Sequence, residues 1–419
     1  MTQHLPFSIR RLALTFLPFW IFLLLYKLGG SLHYSIISPL GERLMPLWLV
    51  GSIISVSSLI QMFLDVPAGH MVDRFGYLRF LKISAFAFLI AGIVLMFKLS
   101  ILTYALSMVA ATISWLLVPL ATNAYVLSHA PDERSAQFFS LRDISISTGV
   151  FIASAILGFV LLFDTRIMGL LITLSMIPAI IAIHFAPPDK KMVRKEVTLK
   201  TCDYYIRHHS LGRVLCFLPK LNPASIMLIL LGFSSSVFYA VVWFVVPLVI
   251  AHQASSGLLS IGLGIFDLAV VVMGFIIGKL ADRSDKRTLI FFGLLLFAVA
   301  GTLTGFNFGW LFLIFGFLAT TGDEMASISL WSWLHTFGHD PAHSGLLAGV
   351  LTFFQDLGWA VGPIFAALTY ETVGPSWAIA SSALLIFVTW LIYQFIVRHH
   401  ARVSPVELPK QPYRVRHRA

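Results

Sequence analysis

Twelve long apolar runs limit what this chain can fold into more than any other feature of its sequence. A helix needs about 20 mostly apolar residues to cross the hydrocarbon core of a bilayer. The runs are far longer than the ~10 residues of a barrel strand, and polar and apolar residues do not alternate along them. The sequence therefore predicts an all-α membrane protein with twelve transmembrane helices. The predicted spans are residues 12–37, 45–72, 79–97, 101–128, 137–162, 167–187, 224–252, 256–281, 288–306, 309–337, 342–369 and 374–398.

The composition agrees with a membrane protein and assigns it an orientation. Charged residues make up 11% of the chain, about half of their share in a soluble domain. The net charge of +10 needs no nucleic-acid partner, because Lys and Arg collect in cytoplasmic loops. If the N-terminus is inside, only Arg43, Lys98 and Arg166 lie on the outer side. We therefore predict a multi-pass protein of the cytoplasmic membrane with both termini in the cytoplasm.

A short polar turn occurs once in each half of the chain. Residues 69–76 read Gly-His-Met-Val-Asp-Arg-Phe-Gly, and residues 278–285, 209 positions later, read Gly-Lys-Leu-Ala-Asp-Arg-Ser-Asp. A repeat at half-length between membrane spans indicates internal duplication. We predict two pseudo-symmetric six-helix bundles. They comprise an N-terminal half at residues 1–187, a cytoplasmic linker at 188–223, a C-terminal half at 224–398 and a basic cytoplasmic tail at 399–419.

A second pair of matching positions supports the duplication. Asp143 and Gly149 correspond to Asp356 and Gly362 at an offset of 213. The fifth and eleventh predicted helices are therefore related.

The first copy of the turn resembles the loop motif of the major facilitator superfamily, Gly-x-x-x-Asp-Arg-x-Gly followed by basic residues. The second copy departs from it, since Asp285 stands where glycine is expected. The antiporter-type Gly-x-x-x-Gly-Pro motif is missing from predicted helix 5. The resemblance implies a transporter whose halves rock around a cavity lined by helices 1, 4, 7 and 10. The matching residues are Gly69, Asp73, Arg74 and Gly76, with Arg79 as the basic residue and Asp65 in the acidic-x-Pro-x-Gly lead-in.

We expect the loop motif to act as a gate. Gly69 allows helices 2 and 11 to approach closely, and Asp73 can accept hydrogen bonds at a helix start or pair with an arginine. Such bonds would form in one state of a transport cycle and break in the other, whereas a permanent turn is the alternative. The predicted gating residues are Asp65, Gly69, Asp73, Arg74, Gly76, Arg79, Arg142, Asp143, Gly278, Asp282, Arg283 and Asp356.

Charged residues inside the spans mark a polar interior, because a charge in hydrocarbon costs several kcal/mol and normally faces a cavity or a partner. Predicted helices 3, 6, 9 and 12 carry essentially no charge between their ends and form a lipid-facing scaffold. Asp323 points about 100° away from Glu324 around its helix, so the two carboxylates have different roles. The predicted substrate and coupling residues are Lys27, Tyr34, Asn123, Tyr239, Trp243, Asp267, Asp323, Glu324, Trp331 and His335.

Lys27 has two interpretations. It binds an anionic substrate, or it is the counter-ion of Asp323 or Glu324 from the other half. For proton coupling we expect Glu324 to be the carrier, because Ser327, Trp331 and His335 share its helix face. Asp323 and Asp267 are the alternatives.

The function predicted from these residues is secondary active transport of a small solute by alternating access, coupled to protons. Export of an amphipathic compound and uptake of a polar metabolite both remain open, and a non-transporting membrane sensor or scaffold is the alternative of another class. No Gly-x-x-x-x-Gly-Lys-Ser/Thr loop occurs, so we expect neither direct ATP drive nor an enzyme. We expect a small-molecule substrate and H+ as ligands, the lipid bilayer as surroundings, a monomer, and no cofactor, metal or nucleic acid.

Overall fold

A computed structural model describes residues 13–129, 135–161, 164–189, 223–252, 257–306, 309–336 and 344–403. Twelve helices in these ranges are long and apolar enough to cross a membrane, as the sequence predicts. They are α1 Leu17–Glu42, α2 Leu47–Phe75, α3 Tyr77–Leu95, α4 Ile101–His129, α5 Ser135–Val160, α6 Thr165–His184, α7 Pro223–His252, α8 Gly257–Arg283, α9 Lys286–Gly305, α10 Trp310–Thr336, α11 Ser344–Val373 and α12 Pro375–Val403.

Helix α1 ends later than the sequence predicts. The predicted span ends at residue 37, but the helix continues through Pro39 to Glu42. A proline removes one backbone donor and its neighbours in a helical bundle compensate for it, so proline is tolerated in membrane helices. Proline alone is therefore a poor signal for a helix end in this class of protein.

The packing of the helices repeats in the two halves. In the first half α1 packs on α5 and α6, and α3 packs on α4 and α6. In the second half α7 packs on α11 and α12, and α9 packs on α10 and α12. Each contact of the first set has its equivalent six helices later. The duplication read from the polar turn thus extends to the whole bundle.

Two long helix contacts join the halves, α2 with α11 and α5 with α8. They are equivalent to each other under the same six-helix shift. A smaller contact joins α1 to α7. The halves therefore meet along two symmetric seams, which leave room for a cavity between α1, α4, α7 and α10.

The outer helices cover this interior. Large apolar side chains on α3, α6, α9 and α12 are exposed, for example Phe86 on α3, Leu174 on α6, Phe292 on α9 and Leu384 on α12. Exposed apolar surface of this kind suits contact with lipid chains. This placement agrees with the prediction from the sequence that these four helices form the lipid-facing scaffold, because they carry essentially no charge between their ends.

Candidate functional site

A cavity of about 520 Å³ lies between the two halves. Helices α1, α2, α4, α5, α7, α8, α10 and α11 line it, and no described residue of α3, α6, α9 or α12 does. Eight helices therefore line the cavity, whereas the resemblance implied only helices 1, 4, 7 and 10. Its charged lining consists of Lys27, Asp143, Asp267, Asp323, Glu324 and Asp356.

One end of the cavity is closed by α1 and α7. Ser38 Oγ donates a hydrogen bond to the backbone oxygen of Phe244 over 3.3 Å. Beyond it, Glu42 Oε2 lies 3.3 Å from His252 Nε2. Both contacts join the two halves where these helices end. The cavity thus lies nearer to the side at which α1 and α7 begin.

Four aromatic side chains form the inner wall of this closed end. The ring of Tyr34 makes edge contacts with the rings of Trp115 and Trp359 at centroid distances of 5.5 and 5.3 Å. Its contact with Trp243 is 6.3 Å. We call Tyr34, Trp115, Trp243 and Trp359 the aromatic cluster. It offers ring faces and edges to any molecule in the cavity.

At the opposite end, the halves touch through stacked rings. Phe139 of α5 and Trp331 of α10 have centroids 6.3 Å apart and planes inclined by 15°. The guanidinium of Arg142 lies over the ring of Phe139 at 5.2 Å. Aromatic rings of the two halves therefore meet on this side of the cavity.

Arg142 is held by two neighbours of the first half. Its Nη2 lies 2.8 Å from Asp143 Oδ1, and its Nη1 donates to Asn123 Oδ1 over 2.6 Å. Asn123 is absent from the cavity wall. The structure thus places Asn123 as a support for Arg142, whereas the sequence grouped it with the substrate and coupling residues.

Two further carboxylates of the cavity also have side-chain partners. Tyr239 of α7 donates to Asp323 Oδ2 over 3.0 Å. Asp267 of α8 interacts with the hydroxyl group of Ser147 on α5, across the seam between the halves. Asp323 and Glu324 both line the cavity although they differ by about 100° around α10, because they flank the helix face that Thr320, Ser327 and Trp331 present to it.

Lys27 and Glu324 have no hydrogen bond or ion pair among the described residues. The charges that act on Lys27 are those of Asp267 and Arg142. Those that act on Glu324 belong to Asp143, Asp323, Asp267 and Arg142. The expected pairing of Lys27 with Asp323 or Glu324 is therefore not formed in this conformation.

Asp65 and Asp356 form a pair of carboxyl groups where α2 packs on α11. Asp65 is fully buried, and neither of its oxygens has a hydrogen-bond donor among the described residues. Its interacting neighbour is Asp356. Two carboxyl groups can hydrogen-bond to each other only when one of them carries a proton.

The loop motif joins α2 to α3 through Gly76. This residue has a φ of 107°, which favours glycine, and its N–H donates to Val72 O over 3.1 Å. Arg74 and Arg79 are exposed, whereas Gly69 is buried. Gly278 of the second copy lies against Ser140 of α5. The side chains of Asp73, Asp282, Arg283 and His335 lie outside the part of the chain that the structure describes.

Sequence reasoning missed several polar members of the cavity wall. These are Ser58 and Gln61 on α2, Ser147 on α5 and Gln355 on α11. Ser147 lies four positions after Asp143 and so shares its helix face. The available signal was a lone polar residue inside an apolar span. Without knowledge of the helix packing, this signal does not tell a residue that lines the cavity from one that contacts a neighbouring helix.

Comparison with known proteins gives a family and a fold. The sequence matches the model of the Major Facilitator Superfamily over residues 12–337 and 228–417. Among curated protein sequences no match is found.

Solved structures of low identity have the same architecture. The human organic anion transporter MFSD10 (TETRAN) has 15% identity and a TM-score of 0.70, covering 91% of this chain and 99% of its own. The E. coli xylose transporter XylE, partially occluded and inward open, has 14% identity and a TM-score of 0.69, with coverages of 91% and 97%. The peptide transporter POT with sulfate has 14% identity and a TM-score of 0.68, with coverages of 92% and 95%. At these identities the likeness establishes the fold alone.

Proposed function

The chain belongs to the major facilitator superfamily, and from this premise we propose that it is a secondary active transporter. It moves a small solute across the cytoplasmic membrane by alternating access and couples this movement to protons. The family and the twelve apolar helices support a multi-pass membrane transporter. The solute, the proton coupling and the orientation with cytoplasmic termini are parts of the proposal.

The observation that carries the proposal is a cavity with charged lining that contacts between the halves close at one end. These contacts are the Ser38–Phe244 hydrogen bond, the Glu42–His252 contact and the rings of the aromatic cluster. A rocking motion about the α2–α11 and α5–α8 seams would break them. The same motion would close the opposite end, where Phe139 and Trp331 already touch.

Proton coupling is proposed to depend on Glu324. This carboxylate faces the cavity without a partner, and three other acidic groups act on it. A carboxylate among like charges favours binding of a proton or a cationic group. Asp323 suits this role less well because Tyr239 already donates to it. Asp267 is the next candidate.

Distances between spin labels test the rocking motion without knowledge of the solute. In a variant with Cys202 and Cys216 replaced by Ser, labels at Glu42 and His252 join the two halves at the closed end. Alternating access predicts a second, longer distance population whose share changes with pH in proteoliposomes. Labels at Glu42 and Lys98, which lie at the same end of the first half, form the control and keep one distance. A single unchanged distance between positions 42 and 252 under all conditions would contradict the proposal.

A further inference from the structure

The charged groups of the cavity divide into those with partners and those without. Asp143 is paired with Arg142, Asp323 accepts from Tyr239, and Asp267 interacts with Ser147. Asp356 faces Asp65. Among the described residues that line the cavity, Lys27 and Glu324 are thus the charged groups without a hydrogen bond or an ion pair.

These two groups have opposite signs and lie in different halves, Lys27 on α1 and Glu324 on α10. Among the described contacts no ion pair joins them, and Asp267, the acidic group whose charge acts on Lys27, makes no ion pair with it either. An unpaired charge away from bulk water is costly. A molecule that supplies an anionic group to Lys27 and a cationic group to Glu324 removes both costs at once.

The aromatic cluster indicates what joins the two charged ends of that molecule. Tyr34, Trp115 and Trp243 all line the cavity. Their rings offer apolar area and can stack on a ring of the ligand. The cavity volume of about 520 Å³ is in the range of roughly 300–1,000 Å³ found for small-molecule sites. The space and its lining suit a small organic molecule better than an inorganic ion.

We propose that the cavity binds a zwitterionic solute with an aromatic body, whose anionic group contacts Lys27 and whose cationic group contacts Glu324. The inference rests on the proposed transport function and adds the chemical class of its substrate. A solute with only a cation would leave Lys27 unpaired. One with only an anion would leave Glu324 unpaired among acidic neighbours.

Matched sets of three compounds test the assignment by binding to the purified full-length protein. The zwitterions are L-tryptophan, 4-(aminomethyl)phenylacetate and glycyl-L-tryptophan, which differ in charge separation. Each is compared with its N-acetyl derivative, which keeps only the anion, and its methyl ester, which keeps only the cation. For at least one set, the zwitterion is expected to bind about tenfold more tightly than both derivatives, as measured by calorimetry.

Substitutions assign each charged end. Lys27→Met is expected to remove the preference over the methyl ester, and Glu324→Gln the preference over the N-acetyl compound. Lys27→Arg and Glu324→Asp keep the charges and are expected to keep the preferences, which separates charge recognition from loss of folding. Lys98→Met and Glu371→Gln, both exposed and outside the cavity, are the matched controls and leave binding unchanged.

Failure of this inference is distinct from failure of the transport function. Equal or tighter binding of a singly charged derivative, or no binding of any of the nine compounds, overturns the zwitterion assignment. Transport is judged separately by the distances between positions 42 and 252. A protein that alternates between two conformations but prefers a singly charged compound remains a transporter with a different substrate class.

Discussion

At the scale of single residues, the most unusual feature is a buried carboxyl group whose neighbour is another carboxyl group. Asp65 has no donor among the described residues, and Asp356 faces it from the other half. One shared proton would let the two carboxyl groups hydrogen-bond to each other across the contact between α2 and α11, without any basic side chain. An asparagine can supply the same bond permanently through its amide N–H.

We therefore expect Asp65→Asn to fold as well as the parent protein. Its thermal unfolding midpoint in detergent at pH 7 should be within about 2 °C of the parent value or above it, which corresponds to a loss of stability below about 2 kcal/mol. Asp65→Leu, which can neither donate nor accept a hydrogen bond, is the comparison and should be less stable than Asp65→Asn. A large loss of stability in Asp65→Asn alone would show that Asp65 is an ionised acceptor with a basic partner.

Single residues were also where sequence reasoning reached its limit. The sequence identified Lys27, Asp267, Asp323 and Glu324 as cavity residues, since charge inside an apolar span is rare. It did not reveal which groups pair, because pairing depends on how two helices from different halves are rotated and shifted against each other. Asn123 illustrates the point, since it supports Arg142 and lies behind the cavity wall.

At the scale of helices, two matched glycines, one in each half, allow neighbouring helices to approach closely. A Cβ at Gly149 of α5 would meet the backbone oxygen of Leu24 on α1. A Cβ at Gly362, its counterpart on α11, would meet the methyl group of Ala240 on α7. The offset of 213 between these glycines in the sequence thus corresponds to one packing arrangement used twice.

We expect Gly149→Ala to destabilise the first half by about 1–3 kcal/mol, because the added methyl group meets backbone, which cannot move aside as a side chain can. The measurement is the thermal unfolding midpoint of the purified protein. Gly274→Ala on α8 is the matched control, since the nearest atoms to its Cβ lie at 3.8 and 4.0 Å. Equal stability of both variants would show that α1 and α5 separate without cost.

The helices themselves were predictable for a local reason. Each span carries its own apolar run, so its existence can be read without knowledge of its neighbours. The helix ends were less predictable, as α1 shows by continuing past Pro39. Which helices line the cavity was partly predictable, because absence of charge identified α3, α6, α9 and α12 as the outer set. Asp267 indicated α8 as a further wall, whereas the contributions of α2, α5 and α11 follow from the seams between the halves.

At the scale of the whole molecule, the position of the cavity shows which side of the membrane this conformation is closed to, once the orientation of the protein is known. The α1–α7 contacts close the side where α1 ends. If the termini are cytoplasmic, this conformation is closed towards the outside and its cavity lies nearer to the cytoplasm. The orientation thus determines which state of the transport cycle the structure represents.

Labelling of introduced cysteines tests that orientation. The distribution of Lys and Arg predicts that Arg43 and Arg166 lie outside and Arg79 inside; all three side chains are exposed, so a cysteine at each position is accessible to a reagent on its own side. In a background with Cys202 and Cys216 replaced by Ser, a membrane-impermeant maleimide added to intact cells should modify Cys at 43 and 166. It should modify Cys at 79 only after the membrane is opened, which also serves as the control for reactivity. The reverse pattern would place the termini outside and make this conformation one that is closed towards the cytoplasm, because the α1–α7 contacts would then seal the inner side.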